Sequence, residues 1–413
     1  MHDVTTMPAV DPAYVQSPDY QALHRRFPTT AWLRQHAPRR VPRFAFDYGD
    51  GGAGSDVGIL HNWAAFDAFK FVPRYGVTNT LPPVAVELFG RRYCAPIGIA
   101  PMGGPTIVWP GADIFLARAA QRARVPYTLG VAGGATIEEI AAVAPDVFWF
   151  QLYRFPDNDH AVGFDLVRRA EAAGAHTLTL TLDVPVRTTR SREARAGLAA
   201  EFRPNARLIA EMLVRPAWLL AVLRNGFPRF ATLRQYAGAG GAAGTKATIH
   251  FARREMRGAF SWDEVSRYRD RWKRPMLLKG ILHPADAEKA VALGIDGIWV
   301  SNHGGRQTEA LMPSIDCLPA IVRAVGGRAT VIIDSGVRSG HDVARALALG
   351  ADAAFAGKAF LWGLAALGEA GPSHVIDLFI EELQSSLGQI GARSLAEARA
   401  AVVRHPGAMA FTD

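Results

Sequence analysis

The run Ser301-Asn302-His303-Gly304-Gly305-Arg306-Gln307 holds the densest chemistry in the chain. A histidine three residues before an arginine, on a turn that two glycines permit, can aim both side chains at one small ligand. Imidazole titrates near neutrality and suits proton abstraction. Guanidinium offers a planar fork to a carboxylate. Arg190 could supply a second cation, and Tyr48 and Tyr153 hydroxyl donors. Asp183 could hold His303 in one tautomer and stabilise its protonated form. The set describes a pocket for a small carboxylate that gives up a proton.

Polar residues also close a series of short apolar runs: Pro101, Gln151, Thr181 with Asp183, Lys279, Ser301, Asp334 and Gly357. Two late segments suit a phosphate. They are Asp334-Ser335-Gly336-Val337-Arg338-Ser339-Gly340 and Ala356-Gly357-Lys358, where backbone N–H groups would be joined by the charges of Arg338 and Lys358. Lys279 has two readings, as a Schiff-base amine of a lyase or as a cation against an electron-rich cofactor ring. Gly49-Asp50-Gly51-Gly52-Ala53-Gly54 fits the dinucleotide pattern G-x-G-x-x-G. No apolar strand precedes it and no clear helix follows, so nicotinamide binding is not expected there.

These groups need a scaffold that gathers strand ends. Apolar runs at 97–100, 127–130, 147–151, 177–182, 276–279, 297–301, 330–334 and 353–357 alternate with Ala/Leu-rich helical stretches. That is the pattern of parallel strands buried on both faces. Eight of them predict an α/β fold, a closed (β/α)8 TIM barrel with its reactive groups at the C-terminal strand ends. Residues 1–95 read as an N-terminal helical cap of the same domain, and 96–400 as the barrel. Residues 191–260 form a long insertion after the fourth strand, which must carry helices of its own or act as a lid. Within it, 207–231 mixes Leu213, Val214, Trp218, Leu219, Leu220, Val222, Leu223 and Phe227 with Arg215, Arg224 and Arg229. Such a basic, tryptophan-bearing segment suits either a membrane interface or a helix packed on the barrel. The Gly/Ala-rich stretch 237–244 reads as mobile.

Of 413 residues 49% are apolar and 20% charged, which supports a large core and excludes a disordered chain. Cys94 and Cys317 form no metal-ligand or redox spacing, so no metal is expected and a reducing compartment is. Residues 1–20 contain no apolar run, so neither a secretory signal nor a membrane span is expected there. The predicted location is cytoplasmic, with peripheral contact on the inner membrane face as an option. A formal charge of +8 favours anionic substrates or surfaces. No basic stripe interleaved with aromatics suggests nucleic acid.

Over roughly residues 40–400 the chain resembles the FMN-dependent L-2-hydroxy-acid oxidase/dehydrogenase family, which includes glycolate oxidase, flavocytochrome b2 and mandelate dehydrogenase. The heptapeptide 301–307 carries most of the likeness. Phe46-Asp47-Tyr48, Ala100-Pro101, Phe150-Gln151-Leu152-Tyr153, Thr181-Leu182-Asp183, Leu278-Lys279-Gly280 and Gly336-Val337-Arg338-Ser339-Gly340 add to it. The resemblance implies that His303 is the base, paired with Asp183, while flavin N5 accepts a hydride equivalent. It implies that Arg306, Arg190 and Tyr48 hold the carboxylate and that Tyr153 contacts the hydroxyl being oxidised. Lys279 would lie at the flavin N1/O2 edge, and Pro101, Met102 and Gly103 against the ring. Gln151, Thr181 and Ser301 would touch the ring or ribityl chain, and Asp334 the ribityl hydroxyls. Gly336, Arg338, Gly357 and Lys358 would surround the phosphate.

Departures from the family pattern shape the expected activity. Gly357-Lys358 stands where Gly-Arg is usual, keeping a cation but losing the fork. Gly130-Val131-Ala132 lacks the bulk of the oxidases and suggests a roomier pocket for an aryl or long-chain acid. Arg190 follows Thr188-Thr189 in place of Gly, and Ser335 replaces a common glycine, which reads as a minor change. Gly103, where oxidases tend to carry alanine, the Arg/Trp/Leu insertion and the lack of a preceding haem domain favour a dehydrogenase passing electrons to a quinone. An oxidase releasing hydrogen peroxide is the alternative, and a Schiff-base lyase using Lys279 a remote one. A homotetramer is the assembly that the resemblance implies.

Overall fold

In the computed structural model the described residues are 14–77, 81–186, 188–198, 206–238, 244–401 and 403–404. Much of the glycine-rich stretch 237–244, and all of residues 1–13, lie outside them. Helices α1 (Tyr20–Arg26), α2 (Thr30–His36), α3 (Arg43–Asp50) and α4 (Val57–Ala68) come first, then strands β1 (Lys70–Phe71), β2 (Val86–Leu88) and β3 (Arg91–Tyr93). The core strands are β4 (Ile97–Ile99), β5 (Tyr127–Gly130), β6 (Phe148–Leu152), β7 (Leu178–Thr181), β8 (Met276–Ile281), β9 (Gly297–Val300), β10 (Thr330–Ile333) and β11 (Ala353–Ala356). They pair in chain order, all parallel, and β11 closes on β4 as a barrel. The expected (β/α)8 fold is what forms.

Helices α5 (Ala112–Ala123), α6 (Ile137–Val143) and α7 (Asp157–Ala172) follow β4, β5 and β6. Between β7 and β8 lie α8 (Ser191–Arg195), α9 (Ala206–Leu213), α10 (Pro216–Asn225), α11 (Thr245–Glu255) and α12 (Trp262–Arg271). The insertion therefore has helices of its own. Then come α13 (Pro284–Ala292), α14 (Ser314–Val325), α15 (Gly340–Ala348), α16 (Lys358–Leu367) and α17 (Gly371–Gln389), with α18 (Leu395–Arg399) and β12 (Val403–Arg404) at the end.

The strands are apolar because both of their faces are covered. Every residue of β5, β6, β7, β9 and β11 is buried. Inside the barrel Phe355 packs on Trp149 and Trp299, with ring centres 5.4 and 4.6 Å apart. The β2–β3 hairpin plugs the N-terminal end, where Trp149 Nε1 donates to Tyr93 Oη at 3.0 Å. Nothing polar of the reactive set lies at that end; it is all at the other.

One irregularity serves the site. The β8–β9 register shifts between Lys279 and Ile281, around Gly280 at φ +97°. A Cβ on Gly280 would lie 2.5 Å from the Asp183 Cβ, so only glycine lets Asp183 lie against β8.

Candidate active site

Three consecutive left-handed residues, His303, Gly304 and Gly305 at φ +61°, +67° and +71°, turn the chain sharply after β9. This conformation costs a histidine about 1 kcal/mol or more, so the surroundings must impose it. Ser301 Oγ accepts from the His303 N–H at 3.0 Å, and Ser335 Oγ accepts from the Asn302 and Gly304 N–H groups at 3.1 and 2.8 Å. The Ser335 hydroxyl donates in turn to Asp334 Oδ1 at 2.7 Å. Ser335 is itself left-handed at φ +73°, which explains why glycine suits the position. The replacement is not the minor change expected from the sequence: its hydroxyl fastens the turn that carries His303.

His303 Nδ1 faces both Asp183 oxygens at 3.0 and 3.1 Å. A carboxylate only accepts, so Nδ1 carries a proton and Nε2 is the nitrogen left facing Tyr153. Burial pushes the Asp183 carboxyl up, but the facing imidazole, by charge and hydrogen bond, and then Lys279 hold it below the usual carboxylate range. Tyr153 Oη lies 3.3 Å from His303 Nε2. Burial, and then Asp183, push the Tyr153 phenol well above its ordinary value, so it remains a donor.

Arg306 is 16% exposed and anchored on both sides. Its Nη1 donates to Tyr48 O at 2.9 Å and Gly51 O at 2.8 Å, and its Nη2 to Glu193 Oε1 at 2.6 Å. Burial, and then the neighbouring Arg190, lower its pKa. Arg190 reaches the same Glu193 oxygen at 3.2 Å. The Tyr48 hydroxyl donates to Gly103 O at 2.5 Å. The glycine-rich turn 49–54 now has a role. A helix, α4, does follow it, contrary to the sequence expectation, but α3 in place of a strand precedes it. The helix C-terminus there presents carbonyls, and Lys358 Nζ donates to Asp50 O and Gly51 O at 3.0 and 2.7 Å. It cradles cations, the reverse of a phosphate loop.

Lys279 is 3% exposed, ion-paired to Asp334 at 3.0 Å, and donates to Ser301 Oγ at 2.7 Å. An ammonium engaged in this way is a fixed charge, which removes the motive for a Schiff-base amine. Pro101, Met102, Gly103, Lys279, Asp334, Gly336, Arg338, Gly357 and Lys358 line one cleft, together with Tyr48, His303 and Arg306. Gln151, Thr181 and Ser301 are buried against it, with Gln151 Nε2 donating to Thr181 Oγ1 at 2.8 Å. Tyr153 and Arg190 line a second cavity of 390 Å³ that shares His303. Arg338 pairs with Asp67 at 2.7 Å and Asp342 at 3.3 Å, so its charge is partly balanced already.

The sequence pattern of FMN-dependent dehydrogenases matches residues 37–405. The chain belongs to that family. It is 38% identical over 373 residues to an L-lactate dehydrogenase of Caulobacter vibrioides, covering 89% of this chain and 95% of the relative. A second relative, an L-lactate dehydrogenase of Azorhizobium caulinodans, is 38% identical over 369 residues, covering 88% and 95%. Among solved structures it is similar to the monotopic membrane protein (S)-mandelate dehydrogenase, with a TM-score of 0.86 and 32% identity over 91% of this chain and 99% of that one. A mandelate oxidase gives a TM-score of 0.77 with 34% identity, covering 92% and 99%.

The family uses FMN, and the cleft fits it. Gly357 caps α16 without a side-chain bond, which leaves first-turn N–H groups for a phosphate beside Lys358. Burial, and then Arg306, lower the Lys358 pKa well below its ordinary value, a shift that an approaching anion opposes. Over Gly357 an added Cβ would find only Met102, at 3.6 Å, so space is kept there. Lys279 puts a cation on the wall of the same cleft.

Sequence reasoning passed over Glu193, Asp50 and the mutual amide pair Asn62–Asn302, with bonds of 2.9 and 2.7 Å. Only Asn302, inside the heptapeptide, carried any signal. Ser335→Gly tests the fastening of the turn. It keeps the left-handed backbone and deletes hydrogen bonds worth about 1 kcal/mol each, so flavin reduction should slow roughly tenfold with FMN still bound. An unchanged rate in stopped-flow would show that the turn holds itself.

Proposed function

We propose that the protein oxidises an L-2-hydroxy acid to the 2-keto acid. The observation that carries this reading is the convergence of His303 Nε2 and the Tyr153 hydroxyl, 3.3 Å apart, with two guanidiniums gathered nearby on Glu193. Arg306 and Arg190 grip the substrate carboxylate and fix C2. Tyr153 contacts the substrate hydroxyl and His303 Nε2 takes its proton. Asp183 stabilises the imidazolium that results. Lys279 would hold positive charge beside the cofactor ring. FMN, when bound, would supply what these side chains lack, an acceptor for the hydrogen and electron pair lost from C2 as the ketone forms.

The test is anaerobic bleaching. The yellow protein should lose its flavin absorbance on adding one of lactate, glycolate, mandelate or a long-chain 2-hydroxy acid. No bleaching with any of them sinks the reading. The acceptor we propose is a quinone, supported by glycine at 103 and by the insertion. Stoichiometric peroxide release in air, indifferent to quinone analogues, would instead establish an oxidase. Light scattering tests the homotetramer.

Peripheral membrane contact through 207–231 belongs to the same reading. Leu213, Val214, Leu223 and Phe227 are 65, 62, 81 and 71% exposed on and around α9 and α10, while Trp218 turns inward. Arg224 and Arg229 are exposed among them. A large apolar patch rimmed by cations suits an anionic lipid surface on the inner membrane face. No described helix is long and apolar enough to cross a membrane. Leu223→Asp with Phe227→Asp should abolish co-sedimentation with anionic vesicles and spare activity with a soluble acceptor. Unchanged co-sedimentation would discard this face.

A further inference from the structure

Helix α8 sets two adjacent residues of opposite charge on opposite partners. Arg192 reaches back to the cap, to Asp50 at 2.9 Å and Asp56 at 2.6 Å. Glu193 reaches forward, and one of its oxygens accepts from Arg306 Nη2 at 2.6 Å and Arg190 Nη1 at 3.2 Å. Its side chain is 14% exposed, so these charges meet with little water between them. Two guanidiniums gathered for one carboxylate would carry two positive charges. Glu193 cancels one and leaves a net single charge for the ligand. Other ionic groups nearby have partners of their own. Asp183 sits behind the far nitrogen of His303, Lys279 is paired with Asp334, and Arg257 on the wall of the second cavity is paired with Asp157. Arg253, on the same wall, donates to Leu198 O at 3.4 Å.

Glu193 also lines that second cavity with Val184, Ala194, Leu198 and Met256. A substituent on C2 that enters it meets this apolar carbon and the Glu193 carboxylate, alongside the guanidiniums of Arg190, Arg253 and Arg257.

We propose that Glu193 is a specificity-determining residue: by neutralising one guanidinium and fixing the pair, it makes the site take singly charged 2-hydroxy acids and reject those with a second carboxylate on C2. This rests on Arg190 and Arg306 being the carboxylate grip. A merely structural Glu193 would hold α8 in place without discriminating between ligands of different charge.

The experiment compares two inhibitors of substrate-driven bleaching on the FMN-loaded protein. D-lactate carries one charge on the 2-hydroxy acid frame, and tartronate carries two. Glu193→Gln keeps the shape and one acceptor oxygen but deletes the charge. A unit charge within about 5 Å, partly screened, is worth roughly tenfold or more in affinity. The ratio of the two inhibition constants should therefore shift roughly tenfold toward tartronate, and Glu193→Asp should restore the wild-type ratio. A Glu193→Gln protein that holds FMN with the ratio unchanged overturns the proposal. If that variant fails to fold, the wild type decides. D-lactate must compete at least as well as tartronate, and tighter binding of tartronate would overturn the idea. A wild type that no 2-hydroxy acid bleaches removes the functional reading, and this inference with it.

Discussion

His303→Ala should purify yellow, bind substrate, and reduce its flavin roughly 10²–10⁴-fold more slowly than wild type, the usual worth of a general base. The imidazole is the proposed base, and its Nε2 lies 3.3 Å from the Tyr153 hydroxyl. Its removal should leave the phosphate end intact, because Gly357 and Lys358 are held by α16 and the 49–54 turn. The rate should therefore collapse without loss of the cofactor. Stopped-flow reduction under anaerobic conditions separates the two. A variant with wild-type absorbance and a reduction rate within a few-fold of wild type would strip His303 of its role.

Arg306→Ala should act on binding more than on rate. It removes the donor to Glu193, Tyr48 O and Gly51 O together, and leaves Glu193 with Arg190 alone. Truncating one member of a buried, hydrogen-bonded charge pair costs about 2–5 kcal/mol, or roughly 30-fold to several thousand-fold in affinity. KM should rise by that order. Arg306→Lys should recover only part of the loss, since a lysine has no fork. A KM within about threefold of wild type in Arg306→Ala would mean that the carboxylate is held elsewhere.

The barrel was legible because its strands are buried on both faces, so each reads as an unbroken apolar run. Observed strands such as Tyr127–Gly130 coincide with the run predicted at 127–130. The reactive residues were legible because a barrel puts polar groups at the ends of those runs, and His303, Asp183 and Lys279 each sit there. What escaped was long-range. Glu193 sits in an insertion without periodicity and meets Arg306, 113 residues away. Asp50 lay inside a glycine pattern that resembles a phosphate loop. Buried at 1%, it accepts from Arg34, Arg192 and Trp362, a convergence that no local spacing announces. Ser335 differs from glycine by one hydroxymethyl, and its value depends on two N–H groups in the previous strand–helix loop.

The Gly51 carbonyl oxygen serves two masters. It accepts from Arg306 at 2.8 Å and from Lys358 at 2.7 Å. If Arg306 grips the acid and Lys358 the cofactor, as proposed, a substitution that moves this peptide disturbs both grips at once, so neither can be retuned through it alone.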